Sequence, residues 1–162
     1  MAEHNELGKW GEDEATLYLE NEGYVVIDRD WRDGKRDLDI LAVSPDGKTL
    51  VVVEVKTRSG EEYQQPEEAV DARKMRNLAL AANTYVKEKQ VDREVRFDIV
   101  TVVGVGHQVK RIEHLVDAFN PLLIGQSVVF RYTLLYRHGK EDYTIKGSGF
   151  HECLPEEFGY LR

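Results

Sequence analysis

The apolar positions change period several times along the chain, and each change marks an element. From about His4 to Glu22, Leu7, Gly11, Ala15, Tyr18 and Leu19 share one helical face while Asp13 and Glu20 point away. That is an amphipathic helix, and Gly23 supplies its stop. Tyr24-Val25-Val26-Ile27 reads as a short strand, and the polar stretch Asp28 to Lys35, which contains Trp31, as a loop or irregular edge. Two strands follow, Leu38 to Val43 and Thr49 to Thr57, joined through Asp46-Gly47, a strong hairpin signal because both central turn residues are expected at positive φ. Val51, Val52 and Val53 leave the second strand apolar on both faces, so it belongs inside the sheet. Residues 58–65 read as a loop, and Pro66 opens a helix running through Glu68, Ala69, Met75, Leu78, Ala79, Ala82 and Val86. Val95 to Val103 is a further strand, ended by Gly104 and Gly106, and Val109 to Ile112 adds an edge.

The order α-β-β-β-α-β predicts an α/β fold with a central mixed sheet flanked by helices, over residues 1–125. Residues 126–162 read as a C-terminal appendage, with a hairpin of Val128 to Tyr136 and Tyr143 to Lys146 around His138-Gly139-Lys140. The length of 162 residues suits one domain with a real core. No apolar run is long enough for a bilayer, the opening Met-Ala-Glu-His-Asn-Glu is unlike a secretory signal, and the single Cys153 rules out an internal disulfide. A cytoplasmic protein with no membrane partner is the expectation.

Net charge is −8, which by itself argues against nucleic acid. Its distribution changes that. Residues 1–28 carry eight acids against Lys9, hence −7 of the total. Arg29 to Arg76 is nearly neutral, and Arg29, Arg32, Lys35 and Arg36 cluster within eight residues. On charge alone, this cluster is as much a solvated loop as a phosphate contact.

Candidate chemistry sits on the hairpin. Period two places Leu50, Val52, Glu54 and Lys56 on one strand face, so two charges project from an apolar strand on the same side. A two-residue turn would pair Pro45 with Lys48 and thus Asp39 with Glu54, with Cβ atoms about 4.5–5.5 Å apart. Two carboxylates so close repel unless a cation lies between them, and Mg²⁺ (or Mn²⁺) accepts one or two carboxylates plus water. Lys56, one strand period on, suits offsetting charge in a phosphoryl-transfer transition state, with water rather than a side chain attacking phosphorus. The alternative is a satisfied ion network inside a sheet; location within two apolar strands tilts the balance to a site. Glu12 lies at the rim of the helix's apolar face and by position alone reads as a boundary glutamate reaching to solvent.

The ordered series Gly11-Glu12, Ala15, Gly23-Tyr24, Asp30-Trp31-Arg32, Asp37-Leu38-Asp39-Ile40-Leu41-Ala42, Val53-Glu54-Val55-Lys56-Thr57-Arg58, Pro66-Glu67-Glu68-Ala69-Val70, Lys74 and Arg96-Phe97-Asp98-Ile99-Val100 resembles the YraN-like family of small bacterial proteins, over roughly residues 7–120. That family is regarded as predicted endonucleases of the restriction-endonuclease-like fold, similar to archaeal Holliday-junction resolvases. The resemblance implies metal ligands at Asp39, Glu54 and the Val55 carbonyl, a catalytic lysine at Lys56 and an accessory acid at Glu12. It also implies phosphate contacts and, as in such resolvases, a homodimer. Arg36-Asp37 stands where the family usually has Gly-Glu, which keeps an acid and loses a glycine.

For nucleic-acid contacts the candidates are Arg32, Lys35, Arg36, Arg58 and Lys74; Lys74 reads either as a phosphate contact or as a cap on the helix rim. Trp31 and Tyr63 read as anchoring plugs rather than stacking platforms. The five histidines, His4, His107, His114, His138 and His151, lack ligand spacing and read as surface or loop residues. Two functions compete: a Mg²⁺-dependent endonuclease acting on branched or structured DNA, and a non-catalytic nucleic-acid-binding or scaffold module recruited by a protein partner.

Overall fold

A computed structural model of the chain describes residues 2–59 and 72–121. Helix α1 (Ala2–Asn21) leads into strands β1 (Val25–Asp33), β2 (Arg36–Val43) and β3 (Thr49–Ser59), then helix α2 (Ala72–Glu88), β4 (Glu94–Val105) and β5 (Gln108–Leu115). The five strands form one sheet in the order β1-β2-β3-β4-β5. All neighbours are antiparallel except β3 and β4, which run parallel. A parallel pair needs a crossover, and α2 lies within it.

Helix α1 ends as its glycine requires. Gly23 takes φ +86°, its amide bonds to Glu20 O and the Tyr24 amide to Leu19 O, which closes the helix and aims the chain into β1. The helices cover opposite faces of the sheet. Ala15 and Leu19 of α1 pack with Ile40, Val51, Val53, Val55, Val100 and Val102. Leu78, Ala79, Ala82 and Tyr85 of α2 pack with Leu41, Leu50, Val52, Phe97 and Ile99. Val51, Val52 and Val53 have essentially no exposure, as an inner strand demands.

One open reading is settled and one expectation is corrected. Of the two readings open for Asp28 to Lys35, the structure takes the irregular edge: all but its last two residues belong to β1, which turns into β2 through Gly34-Lys35 with Gly34 at φ +62°. Its alternation is invisible in sequence because the register slips between Val26 and Asp28, and because Asp30 takes φ +51° within the strand. The Asp46-Gly47 turn is wider than two residues. Gly47 N donates to Ser44 O and Ser44 N to Thr49 O, and of the two central residues expected at positive φ only Gly47 takes it. The register is nevertheless the expected one, with Ile40 opposite Val53 and Val43 opposite Leu50, because lengthening the loop by one residue on each side preserves pairing. A two-residue turn with both φ positive occurs instead at Gly106-His107, between Val105 and Gln108. Pro66 and the proposed helix start, and the hairpin assigned to 128–146, lie outside the described residues.

Candidate functional site

Strand β3 carries Glu54 and Lys56 onto the α2 face of the sheet. Glu54 is 3% exposed. Its Oε1 accepts from Lys56 Nζ at 2.8 Å, and Oε2 lies 3.2 Å from Lys74 Nζ without an aligned hydrogen bond. Lys74 comes from the first turn of α2 and also lies 3.6 Å from Asp37 Oδ1. Burial works against the charge on Lys74, but Glu54, Asp39 and Asp37 outweigh it and raise its pKa.

Asp39 is placed by a break in the ladder. Paired residues of β2 and β3 end at Ile40 and Val53; beyond them, the Val55 amide donates to Asp39 Oδ2 at 2.8 Å. A side chain thus replaces a backbone acceptor where the strands part. The packing records the same break: Ile40 belongs to the α1 layer, yet Leu38, which period two would put beside it, belongs to the α2 layer. Burial, then the Glu54 charge, push the Asp39 carboxyl up to about 7, with the Val55 amide and Lys74 opposing.

Glu12 approaches from the other layer. Gly11 makes this possible, because any Cβ there would collide with the Thr57 side chain of β3; α1 therefore lies close against the strand. Burial, followed by the charge and hydrogen bonding of Asp30, push Glu12 up to about 7, and Asp39 feels the Glu12 charge as well. Asp30 is a participant the sequence reading missed. Arg29 pairs with Ile40 and Trp31 with Leu38, so Asp30 falls in register with Asp39, and its positive φ marks a second irregularity in that row. The available signal was the residue type, since Asp is among the few side chains that tolerate that backbone region.

The proposed phosphate contacts separate. Arg32 and Lys35 are exposed on the β1–β2 hairpin, and Arg58 is half-buried near the end of β3. Arg36 is tied to Asp33 at 2.9 Å, and Asp33 also accepts from Thr84 of α2. Lys74 is drawn into the acidic row rather than displayed on the surface. Trp31 packs edge-on against Tyr85 at 5.3 Å, an anchoring plug as expected. His114 contradicts the surface assignment: its side chain is 7% exposed and its Nε2 lies 2.8 Å from Asp98 Oδ2. Arg96 and the Asp117 amide also bond Asp98, which has no exposure. Sequence spacing does not reveal this cluster, because β5 folds back to supply His114 opposite Val100.

Among the described residues, no group of three or more histidine, cysteine or acid side chains is arranged to hold a metal ion. Asp39 and Glu54 are therefore a pair, with Glu12 set back against Asp30. No helix among these residues is long and apolar enough to cross a membrane.

Residues 11–102 match the model of "Uncharacterised protein family UPF0102". The chain belongs to that family. Among its UPF0102 relatives, a Bacteroides thetaiotaomicron protein is 51% identical over 123 residues, covering 76% of this chain and 99% of the relative. A Porphyromonas gingivalis protein is 45% identical over 128 residues, covering 78% and 93%, respectively. A Flavobacterium psychrophilum protein is 42% identical over 119 residues, covering 74% and 98%. This is the same YraN-like family that the motifs resemble. Among solved structures, Pyrococcus furiosus SfsA in complex with Ca²⁺ aligns over 62% of this chain and 57% of its own, with a TM-score of 0.27 and 15% identity, too distant a likeness to bear on fold or chemistry.

Proposed function

We propose that this UPF0102 protein is a metal-dependent endonuclease that hydrolyses phosphodiester bonds in branched or structured DNA, on a restriction-endonuclease-like version of the mixed sheet. One observation carries the reading. The β2–β3 ladder opens at Asp39, and the carboxylate so positioned shares a row with the buried Glu54, beside Lys56. Opening a ladder inside a sheet and holding a half-buried acid beside a buried one both cost stability, so the arrangement is better explained by chemistry than by folding.

The donor set suits a hard divalent cation. Glu54 Oε2 is a buried oxygen with no aligned hydrogen bond, and Asp39 forms no ion pair among the described residues. Asp39, Glu54 and the Val55 carbonyl would hold Mg²⁺ or Mn²⁺, with water completing the shell as Mg²⁺ prefers. Such an ion supplies Lewis-acid polarisation of the phosphate and activation of water.

The chain's own groups do the rest. Lys56 Nζ, held by Glu54 Oε1, offers positive charge where negative charge develops on the phosphate. Thr101, directly beside Lys56 in the parallel ladder, presents a buried hydroxyl without a partner among the described residues, a further oxygen on that face. Glu12, with its carboxyl poised near neutrality beside Asp30, can hold or release a proton at the rim. Arg58, Arg32 and Lys35 supply cations for the DNA backbone.

Purified protein with Mg²⁺ or Mn²⁺ is expected to cleave branched DNA. Asp39→Ala and Lys56→Ala should each lower the rate by about 100-fold or more while leaving the circular-dichroism spectrum intact. Cleavage that persists in either variant overturns the proposal.

A second reading has one observation in its favour. Glu54 already faces two ammonium groups, so the row can stand as an ion network in a non-catalytic nucleic-acid-binding or scaffold module recruited by a protein partner. Its signature is salt-dependent DNA binding with no metal-dependent cleavage.

A further inference from the structure

Both oxygens of Glu54 face a lysine, but the two lysines are not equivalent. Lys56 belongs to the same strand, two residues on, and makes an aligned 2.8 Å hydrogen bond to Oε1. Lys74 arrives from a separate element, stands 3.2 Å from Oε2, divides its charge between Glu54 and the exposed Asp37, and keeps a side chain 30% exposed. Glu54 Oε2 therefore has a charge neighbour without an aligned hydrogen bond. Of the two oxygens, Oε2 is the one left for another cation.

We propose that Lys74 is a built-in counter-ion that competes for the acidic site, shielding Glu54 in the DNA-free protein and moving off Oε2 when a divalent cation binds. This rests on the reading that Asp39 and Glu54 hold such a cation.

Geometry and charge both lead there. An ammonium at 3.2 Å and a divalent ion cannot both lie against one carboxylate oxygen, and two cations that close repel more strongly beside a carboxylate only 3% exposed than in open water. A lysine is suited to yielding. Its charge sits on a flexible four-carbon stem, and partial exposure gives the ammonium water to move into. Asp37, 56% exposed at the rim, offers a second resting place for it. Lys56 is less suited to yielding, held by its aligned bond to Oε1 and with a side chain only 22% exposed. The consequence is negative coupling between Lys74 and the ion, so the site loads weakly until something else engages Lys74.

The test is Mn²⁺ binding to the full chain without DNA, followed by calorimetry and by the loss of the free-ion electron paramagnetic resonance signal. Lys74→Met and Lys74→Gln should each tighten Mn²⁺ binding by about tenfold or more, whereas Lys74→Arg, which keeps the charge, should bind like the wild type. Unchanged or weaker binding in both neutral variants overturns the proposal, as does equal tightening in Lys74→Arg. Using both Met and Gln guards against one variant failing to fold. Asp39→Asn in the Lys74→Met background separates the two levels. If tight Mn²⁺ binding survives that change, the Asp39–Glu54 site itself is wrong; if it is lost, the site stands and the comparison among the Lys74 variants decides.

Discussion

Asp98 is a buried acid and Asp39 a half-buried one, and they differ in what surrounds them. Asp98 accepts from Nε and Nη2 of Arg96 and from the Asp117 amide, and pairs with His114, while the Tyr24 hydroxyl accepts from Arg96 Nη2 and holds it in place. Tyr18 and Tyr24 close the space around the His114 ring. Burial would raise the Asp98 pKa, but His114, Arg96 and the Asp117 amide outweigh it and hold the carboxyl below its ordinary value. Asp98→Ala should therefore cost about 3 kcal/mol at pH 7, the low end for breaking a buried pair, because Arg96 retains some contact with water. A depressed folded-state pKa contributes stability that is complete above the unfolded-state value and is lost as pH falls through the folded one. The gap between wild type and variant in urea unfolding should thus be full at pH 5–7 and shrink below about pH 4. A gap that stays constant down to acid pH would show that the carboxylate's charge is not what stabilises. Asp39 lacks this satisfied environment, and that contrast separates a structural acid from a candidate ligand.

At the scale of elements, the approach of α1 to β3 decides where Glu12 can reach. Gly11 sits on the apolar face of the helix because Thr57 leaves no room for a side chain. Gly11→Ala ought to stabilise an isolated helix by about 1 kcal/mol, yet in this protein it should destabilise by about 1–3 kcal/mol as α1 is pushed off the strand. Thr57→Ala alone is milder, and the double variant should recover much of the loss, a coupling that denaturant unfolding of all four proteins can read. Additive effects would mean that Thr57 is not the obstacle. The elements themselves were legible where periodicity was clean. The helix face of Leu7 to Leu19, its glycine stop, the inner strand and the β2–β3 register as far as Ile40 and Val53 all follow from spacing. Strand β1 did not, because a bulge and a positive-φ aspartate erase its alternation. The break at Asp39 was equally hidden, since period two puts Leu38 and Ile40 on one face and the packing puts them on two.

Across the whole molecule, the excess negative charge concentrates in the first 28 residues, and the site lies where α1, the inner strands and the start of α2 meet. Net charge of −8 is therefore a poor guide to local chemistry, although it weakens long-range attraction to DNA. Spacing alone could place Asp39, Glu54 and Lys56 together, but not the lysine of α2 that balances them, because Lys74 reaches Glu54 only through the crossover. His114 was misjudged for a related reason: its partner Asp98 lies 16 residues away on a neighbouring strand, and nothing local announces the pair. The account's central claim is that this row of acids and lysines binds a divalent ion and cuts DNA. A Mg²⁺ and Mn²⁺ titration, with cleavage followed on branched, single-stranded and duplex DNAs, tests it most directly. The expected result is cleavage of the branched substrate that rises and saturates with metal and disappears with chelator; no cleavage of any substrate at any metal concentration would contradict it.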